Sequence, residues 1–385
     1  NYSCLTTSGV IVSYSKYGFD LKRKTKAFRP PGYDWWMGQR GNAKYFNYQV
    51  LENRTWKSYG RTKHDYFTTV LGKYSQDFLR LQNDRKPFFM MITPSACHSN
   101  PIIEPGFQSR FRDTRIDKDI SFNYKDTKDK HWLMQGDPIP LTGAQVKHLQ
   151  WLHRKRVQTL ESVDALIITL IKTLRNKGLI DNTYIILTSD HGFHMGHFSM
   201  PGDKRLPYET DIRIPFMVVG PNAYGPREIR SPVLNIDLLP TIIDLAGGEV
   251  PKDLDGRSIK GLLLSDETDV EWRQEFLIEY QGSGTVRPQR KCPGKGLDLH
   301  GCKPAFQCKC HDARNNTYNC LRRINHSENS IFCRFQDDDN FIEHYDLLED
   351  PHQLKNLKPR SSFFFLHEQD FTINQYRICS GRFCW

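Results

Sequence analysis

The sequence predicts an α/β fold in which a mixed, largely parallel sheet is flanked by helices, with a smaller disulfide-rich α+β subdomain at its C-terminal end. Three observations predict this fold. Short apolar runs are typical of buried strands, one long amphipathic helix precedes such a run, and the composition changes near Gly282 to Gly, Pro, Arg and Cys. We therefore predict two domains, residues 1–281 and residues 282–385.

The first buried strand is predicted at residues 87–93, which read PFFMMIT. Its run of large apolar side chains has the length and composition of a strand covered on both faces. A polar loop with His98 follows it. His98 is therefore expected just beyond the end of a strand.

Residues 144–177 are predicted to form a long helix, because apolar side chains recur there every three or four positions. Lys172, Arg175 and Lys177 lie near its end, and Gly178 follows as a C-cap candidate. The β-branched run at 184–188 comes next. Helix, glycine turn and strand together indicate an αβ unit.

A third strand is predicted at residues 214–220, IPFMVVG. In open α/β sheets, ligands gather at the carboxyl ends of the strands. The loop after 184–188 reads SDHGFHMGHF and is the most polar of these strand ends. The predicted site therefore contains this loop and His98.

Composition and charge restrict the class of protein. The chain has 385 residues and a net charge of +10, from 54 basic and 44 acidic residues, which suggests an anionic partner. No apolar run approaches the roughly 20 residues of a membrane-spanning helix. The basic clusters at 22–26 and 153–156 lack the motifs of nucleic-acid-binding modules, so we expect no nucleic acid as partner.

Cysteine usage and sequons indicate the secretory pathway, with the lysosome or the exterior as destination. Eight of the ten cysteines lie between Cys292 and Cys384, which favours disulfides over a zinc site. Cys379 and Cys384 are predicted to form a local pair. Glycosylation is predicted at the four N-x-[ST] sequons, Asn1, Asn53, Asn315 and Asn325.

The three histidines His191, His194 and His197 first suggest zinc. Zinc-binding helices place two histidines four residues apart on one face. Here the spacing is three, and Gly192 and Gly196 disfavour a helix. Zinc is therefore the weaker interpretation of this loop.

A longer series of motifs resembles the sulfatase family. The loop is followed by Asp203-Lys204-Arg205 and by the segment Tyr208–Pro215. Further matches in the same order are residues 30–36, 44–48, 130–133, 235–241, 255–256, 279–282 and 315–318. Within the family, the resemblance is closest to enzymes that remove the 6-sulfate of N-acetylglucosamine and to extracellular heparan-sulfate endosulfatases. It implies an alkaline-phosphatase-like fold.

The resemblance also implies the parts of an active site. In such enzymes a calcium ion binds the sulfate ester, and a formylglycine made from a cysteine attacks the sulfur. By position, Asp190 and His191 would be calcium ligands, although calcium prefers oxygen donors. Lys204 would hold a sulfate oxygen, and His98 would bind sulfate and protonate the leaving group.

Three further residues are expected to contact substrate by the same resemblance. Lys16, in Lys16-Tyr17, matches another sulfate-binding lysine of the family. His194 and His197 would shape the pocket or touch the substrate. The alternative roles are a cap of the turn after the strand for Asp190, a solvated surface lysine for Lys204 and a structural histidine for His98.

The family nucleophile motif, Cys-x-Pro-x-Arg, is not found in these 385 residues. Residues 302–306, CKPAF, come nearest but end in Phe, and the acidic run Asp337-Asp338-Asp339 is interpreted as a solvated loop. The chain starts without Met or a signal peptide. We therefore expect an N-terminally incomplete sulfatase domain rather than a natural form without turnover.

The expected function is hydrolysis of 6-sulfate esters of N-acetylglucosamine in heparan or keratan sulfate, with one Ca²⁺ as cofactor and a sulfated glycosaminoglycan as partner. The absence of a long basic hydrophilic insert favours the lysosomal exo-acting type. The alternatives are an extracellular endosulfatase and a non-catalytic glycan-binding protein. A metal-dependent phosphodiesterase would require more Asp and His ligands than the sequence offers.

Overall fold

The computed structural model describes the backbone alone of residues 8–13, 363 and 364, and all atoms of residues 29–98, 100–223, 226–265, 271–282, 299, 301, 309–358 and 365–379. The chain divides into two compact units. The first unit comprises Asn1–Ile116 and Gln150–Ile185, and the second comprises Asp117–Leu149 and Ile186–Trp385. Among the described residues, no helix combines the length and apolar character needed to cross a membrane.

The first unit contains a mixed five-stranded sheet in the order β4-β3-β2-β1-β5. Its strands are β1 Ser8–Ser13, β2 Trp35–Gln39, β3 Tyr48–Glu52, β4 Thr55–Tyr59 and β5 Phe88–Ile92. β1 lies between β2 and β5 and pairs in parallel with both, whereas β2, β3 and β4 are antiparallel neighbours. The strand predicted at residues 87–93 is confirmed as β5, but the prediction that both its faces are covered is wrong, because the strand is only partly buried and Met91 is 46% exposed.

Two helices cover this sheet, α1 Phe67–Leu81 and α2 Gly143–Asn176. α1 buries side chains at the three- to four-residue spacing of one helix face, namely Phe67, Leu71, Tyr74 and Phe78. The last half of α2 buries Leu166, Leu170 and Leu174 in the same cluster. α2 confirms the helix predicted at 144–177.

The end of α2 also follows the prediction. Gly178 has φ of +66°, a conformation that side-chain-bearing residues rarely adopt. This turn lets the Leu179 N–H donate to the carbonyl of Leu174 at 2.9 Å. The chain then reaches β6 Ile185–Thr188, as the predicted αβ unit requires.

The second unit contains a two-stranded sheet of β6 and β7 Phe216–Val219, which confirms the third predicted strand. Its antiparallel four-stranded sheet has the order β11-β10-β9-β8. These strands are β8 Glu275–Tyr280, β9 Tyr318–Ile324, β10 Asn329–Phe335 and β11 Ile342–Asp346. Its short helices are α3 Glu209–Ile212, α4 Leu238–Leu245 and α5 Lys260–Leu264, and α6 Phe363–Ile378 follows β11.

A disulfide joins β9 and β10. Cys320 and Cys333 face each other in the register of these strands, with an Sγ–Sγ distance of 2.04 Å. Cys310 and Cys379 are also disulfide-bonded. The predicted partner of Cys379, Cys384, lies outside the described residues, so that pairing stays a prediction, as does the domain boundary at 281/282.

Lys130 is fully buried in the core of the second unit. Its ammonium donates to the Tyr345 hydroxyl at 3.0 Å and to the Leu354 carbonyl at 2.8 Å, and it lies over the rings of Phe198 and Tyr345. Burial lowers the pKa of Lys130, although the carboxylate of Glu343 acts in the opposite direction. The family-like motif at 130–133 is therefore part of the core.

The acidic run at 337–339 is only partly the solvated loop expected. Asp338 and Asp339 are exposed, but the Asp337 side chain is 2% exposed and its Oδ2 lies 3.2 Å from Nε2 of His131. The His131 ring is itself buried and stacks on Phe335, with ring centroids 4.1 Å apart. Asp337 is buried because it provides a hydrogen-bond partner for a buried imidazole.

Candidate functional site

Asp190 and His191 lie directly after β6, at the start of the loop predicted to be functional. Nδ1 of His191 lies 2.6 Å from the Gly192 carbonyl, which can only accept, so Nδ1 carries the proton. The lone pair of Nε2 is then available, and Nε2 lies 3.5 Å from Oδ2 of Asp190. The two side chains can therefore direct one oxygen and one nitrogen toward the same ligand.

This pair fits part of a calcium shell. The Asp190 side chain is 82% exposed, so its carboxylate is accessible to an ion. Calcium takes about six to eight ligands, mostly oxygen. Within the described ranges, no group of three or more His, Cys, Asp or Glu could hold a metal ion, so Asp190 and His191 could supply two donors of a larger shell.

The backbone after this pair is held against α3. The N–H groups of Gly192 and Phe193 donate to the carbonyls of Asp211 and Thr210, at 2.8 and 2.7 Å. A Cβ at Gly192 would lie only 2.2 Å from the Thr210 carbonyl oxygen. Residue 192 must be glycine for the two segments to approach so closely.

The buried carboxylate of Asp211 fixes the next part of the loop. Both of its oxygens lie 2.9 Å from Nδ1 of His194, and it also accepts from the backbone N–H groups of His194 and Leu206. Burial lowers the pKa of His194, but Asp211 outweighs that effect and the pKa is raised. His194, predicted to contact substrate, is 1% exposed and holds the loop together.

Lys204 lies on the segment that this network supports. The backbone N–H of His194 donates to the Asp203 carbonyl at 2.9 Å. The backbone N–H of Lys204 donates to the Asp203 carboxylate at 3.0 Å. Lys204 itself is half-buried. The segments that carry Asp190–His191 and Lys204 are thus joined through His194, Asp203 and Asp211.

The residue after Lys204 is fixed by a second buried carboxylate, Asp312. Arg205 donates to Asp312 at 3.2 Å, Tyr280 donates to it at 2.8 Å, and Asn316 donates to it at 3.0 Å. Burial opposes the charge of Arg205, but Asp203 and Asp312 raise its pKa. The family-like motifs at 279–282 and 315–318 therefore meet beside the Lys204 segment.

His197 belongs to a different part of the second unit. Its Nε2 lies 3.7 Å from Oδ2 of Asp119, which is also 3.3 Å from Nδ1 of His352. Burial and the neighbouring His194 lower the pKa of His197. Beside these residues is a cavity of about 260 Å³, lined by Asp119, Ser121, Phe198, Tyr208, Glu209, Thr210, Pro351, His352 and Gln353.

His98 lies in the first unit, six residues after the end of β5. Its N–H donates to the Ser95 carbonyl at 2.8 Å, and its carbonyl accepts from the Tyr45 hydroxyl at 3.0 Å. The backbone position of His98 is therefore fixed by two hydrogen bonds. Its side-chain role stays a prediction, and Lys16 lies outside the described residues.

The sequons differ in their surroundings. Asn53 is half-buried in the β3–β4 turn, where its side-chain oxygen accepts from the Trp36 N–H at 3.0 Å. The Asn325 oxygen accepts from the N–H groups of Ser327 and Glu328, at 2.9 and 2.8 Å. Asn315 is half-buried and Asn1 lies outside the described residues. Glycosylation at these four positions stays a prediction.

Asp211 and Asp312 are the site residues that the sequence did not single out. Asp211 lay inside the matched segment Tyr208–Pro215, but its position alone did not distinguish it from a surface carboxylate. Asp312 lies outside every motif. Only the folded chain shows that each accepts several hydrogen bonds from neighbouring segments.

Comparison with known proteins gives the family. The sulfatase family profile matches residues 10–248, and the chain belongs to this family. Members generally bind a Ca²⁺ ion. An alkaline-phosphatase-like fold agrees with a solved structure of a protein in complex with its substrate D-glucosamine-2-N,6-O-disulfate. The comparison with this solved structure gives a TM-score of 0.70 and 19% sequence identity, over 96% of this chain and 80% of the other chain.

Among curated relatives, the chain is 38% identical to human N-acetylglucosamine-6-sulfatase over 92% of its own length and 64% of the relative. The Bos taurus enzyme of the same name gives 38% identity over 92% of this chain and 63% of the relative. The extracellular sulfatase SULF-1 homolog of Drosophila melanogaster is 34% identical over 72% of this chain and 25% of the relative. The chain thus spans somewhat less than two thirds of the N-acetylglucosamine-6-sulfatases it matches.

Proposed function

We propose that the protein hydrolyses the 6-sulfate esters of N-acetylglucosamine in heparan or keratan sulfate, as a sulfuric-ester hydrolase of glycosaminoglycan degradation in the lysosome or outside the cell. The main support is the connected segment that carries Asp190, His191 and Lys204. The identity of 38% to N-acetylglucosamine-6-sulfatases supports the choice of sugar. The net charge of +10 suits a polyanionic substrate.

Each residue has a proposed task. Asp190 and His191 would hold the Ca²⁺, which when bound would draw the sulfate ester in by its charge. The Lys204 ammonium would bind a sulfate oxygen and stabilise the charge that develops on the transferring group. His98 would bind sulfate and protonate the leaving alcohol, Lys16 and His197 would contact the substrate, and His194 would shape the pocket by holding the loop.

Hydrolysis also requires a nucleophile, and the chain contains no Cys-x-Pro-x-Arg segment. The second candidate function is binding of sulfated glycans without turnover, for which this segment is not needed. The sequence of the transcript upstream of the Asn1 codon distinguishes the hydrolytic function from the non-catalytic one. A spliced Cys-x-Pro-x-Arg segment preceded by an Asp-Asp pair would reject the non-catalytic function, and its absence from the mature protein would reject hydrolysis.

Release of sulfate from N-acetylglucosamine 6-sulfate tests the assignment of Lys204. In the full protein, Lys204→Ala is expected to reduce kcat by roughly 100- to 1000-fold, the effect of removing one charge-stabilising donor. Lys252→Ala is a matched control, because Lys252 is an exposed lysine of the second unit. An unchanged rate in Lys204→Ala would reject this role.

Metal removal tests the calcium assignment separately. Chelation should abolish sulfate release, and added Ca²⁺ should restore it. Asp190→Asn should raise the Ca²⁺ concentration required by roughly tenfold or more, because affinity depends on the number of charged ligands. Activity that survives chelation in the wild-type protein would contradict a calcium site.

A further inference from the structure

A basic surface of the first unit is not used by the proposed chemistry. We call it the Arg112 surface. It is formed by the loop 108–116, which lies along the segment 150–161 of α2. The Gln150 side chain donates to the Thr114 carbonyl at 2.8 Å, and its oxygen accepts from the Ile116 N–H at 3.0 Å. One end of the loop is thus fixed to the helix.

The other end of the loop is fixed in the same way. The Gln158 side chain donates to the carbonyls of Gln108 and Arg110, at 3.0 and 2.7 Å. Between the two ends, Arg154 donates to the Arg112 carbonyl at 3.4 Å. Helix side chains therefore bond to the loop backbone over its whole length. Of the loop arginines, Arg110 is paired with Glu161 of the helix at 2.7 Å, whereas Arg112 and Arg115 are exposed.

Basic side chains dominate this surface. Residues 108–116 and 150–161 contain six arginines or lysines and two acidic residues, Asp113 and Glu161. Arg112 and Arg115 are exposed and Lys155 is half-buried. In the part of the chain that the structure describes, none of these three has a carboxylate partner within 4.0 Å. Their charges are therefore uncompensated, and like charges so close together repel one another.

Two large aromatic side chains lie within the same surface. Phe111 is 50% exposed and has φ of 51°, which is rare for a bulky residue. Trp151 is 42% exposed on α2, next to Gln150. Neither ring is part of the buried core. An apolar ring beside guanidinium groups suits a ligand that has both an apolar face and anionic substituents.

We propose that the Arg112 surface binds the chain of a sulfated glycosaminoglycan, as a binding site additional to the sulfate-ester site. Sulfate groups would bind to Arg112, Arg115 and Lys155, and the rings of Phe111 and Trp151 would pack on the apolar faces of the sugars. The choice of this polyanion rests on the proposed function. None of these residues is among those assigned to sulfate-ester hydrolysis.

Binding of a sulfated heparin octasaccharide to the full protein tests the proposal. The triple variant Arg112→Ala, Arg115→Ala, Lys155→Ala is expected to weaken binding about tenfold, since each exposed ion pair contributes modestly. The dependence of Kd on salt should also become less steep, because fewer counterions are released. Trp151→Ala should weaken binding with an unchanged salt dependence.

The matched control removes the same charges elsewhere in the first unit, with Arg85→Ala, Lys172→Ala and Arg175→Ala, all exposed. It should change Kd by less than about twofold. Equal losses in both triple variants would overturn the proposal, because net charge alone would then explain binding. Equal binding of unsulfated heparosan, or equal displacement by duplex DNA, would also overturn it.

Sulfate release from the monosaccharide N-acetylglucosamine 6-sulfate distinguishes this proposal from the proposed function. The triple variant should hydrolyse the monosaccharide at the wild-type rate. If the wild-type protein binds the octasaccharide through the Arg112 surface but releases no sulfate, the proposed function fails and the binding site stands. If sulfate is released but the triple variant binds the octasaccharide like wild type, the proposed function stands and the additional binding site fails.

Discussion

Two consecutive parts of the second unit, residues 189–191 and residues 192–211, use their polar side chains in opposite ways. The Asp190 side chain is 82% exposed, whereas the Asp211 side chain is 1% exposed and bonded to both the side chain and the backbone of His194. The first part presents exposed side-chain atoms, and the second, apart from Lys204, holds the backbone that carries them. Changes in the two parts should therefore have separate effects on activity and on stability.

The largest expected effect on stability comes from Asp211→Ala. It leaves the buried donors of His194 and Leu206 without their acceptor, so the free energy of unfolding should fall by about 3–5 kcal/mol. Urea denaturation measures this change. A loss below about 1 kcal/mol would show that Asp211 does not hold the loop.

Gly192→Ala tests the close approach of the loop to α3. A Cβ at residue 192 would lie 2.2 Å from the Thr210 carbonyl oxygen, so the backbone must shift at a cost of about 1–3 kcal/mol. Gly261→Ala in α5 is the matched control, because a Cβ there has no neighbour within 4 Å. If the two variants are equally stable by thermal or urea denaturation, the close packing described at Gly192 is wrong.

The pair of His194 and Asp211 should make stability depend on pH, by less than the full Asp211→Ala effect. The folded-state pKa of His194 is raised, so this contribution is fully present below about pH 6.5 and is lost as pH rises through the folded-state pKa. The Nδ1–H bond to Asp211 survives deprotonation, which keeps the effect moderate. Comparing urea midpoints between pH 5 and 9 should show a loss of stability toward high pH that is larger in the wild type than in His194→Gln.

Asp190→Asn should have the smallest effect on stability. The side chain is mostly exposed, so the free energy of unfolding without added metal should change by less than about 0.5 kcal/mol. Its Ca²⁺-dependent sulfate release should nevertheless decline. If Asp190→Asn unfolds more easily than Gly192→Ala, the two parts of the loop do not differ in their contribution to stability in the way described.

The sequence predicted the elements that have a strong local pattern. Apolar runs and helical spacing identified β5, α2, β6 and β7 within two residues at each end, because burial of one face determines them. The five-stranded sheet could not be predicted in full. The hairpin of β3 and β4 makes half of its pairings antiparallel, and its strands show no long apolar run.

For the site, the sequence singled out exposed residues more readily than buried ones. The position of Asp190 and His191 after a strand follows from a local pattern, whereas Lys204 was identified through the resemblance to the sulfatase family. The roles of Asp211, Asp312 and Asp337 depend on partners far away in the chain, such as Tyr280 for Asp312 and His131 for Asp337. No spacing along the sequence distinguishes these buried acceptors from surface carboxylates.

The burial of Lys130 has a consequence for chemical labelling. Amine-reactive esters require an accessible, unprotonated amine, and the ammonium of Lys130 is enclosed by its two hydrogen bonds and two aromatic rings. In the native protein this lysine should stay unmodified while exposed lysines such as Lys252 react. Its acylation, followed by mass spectrometry, would then report opening of the second unit's core without any engineered probe.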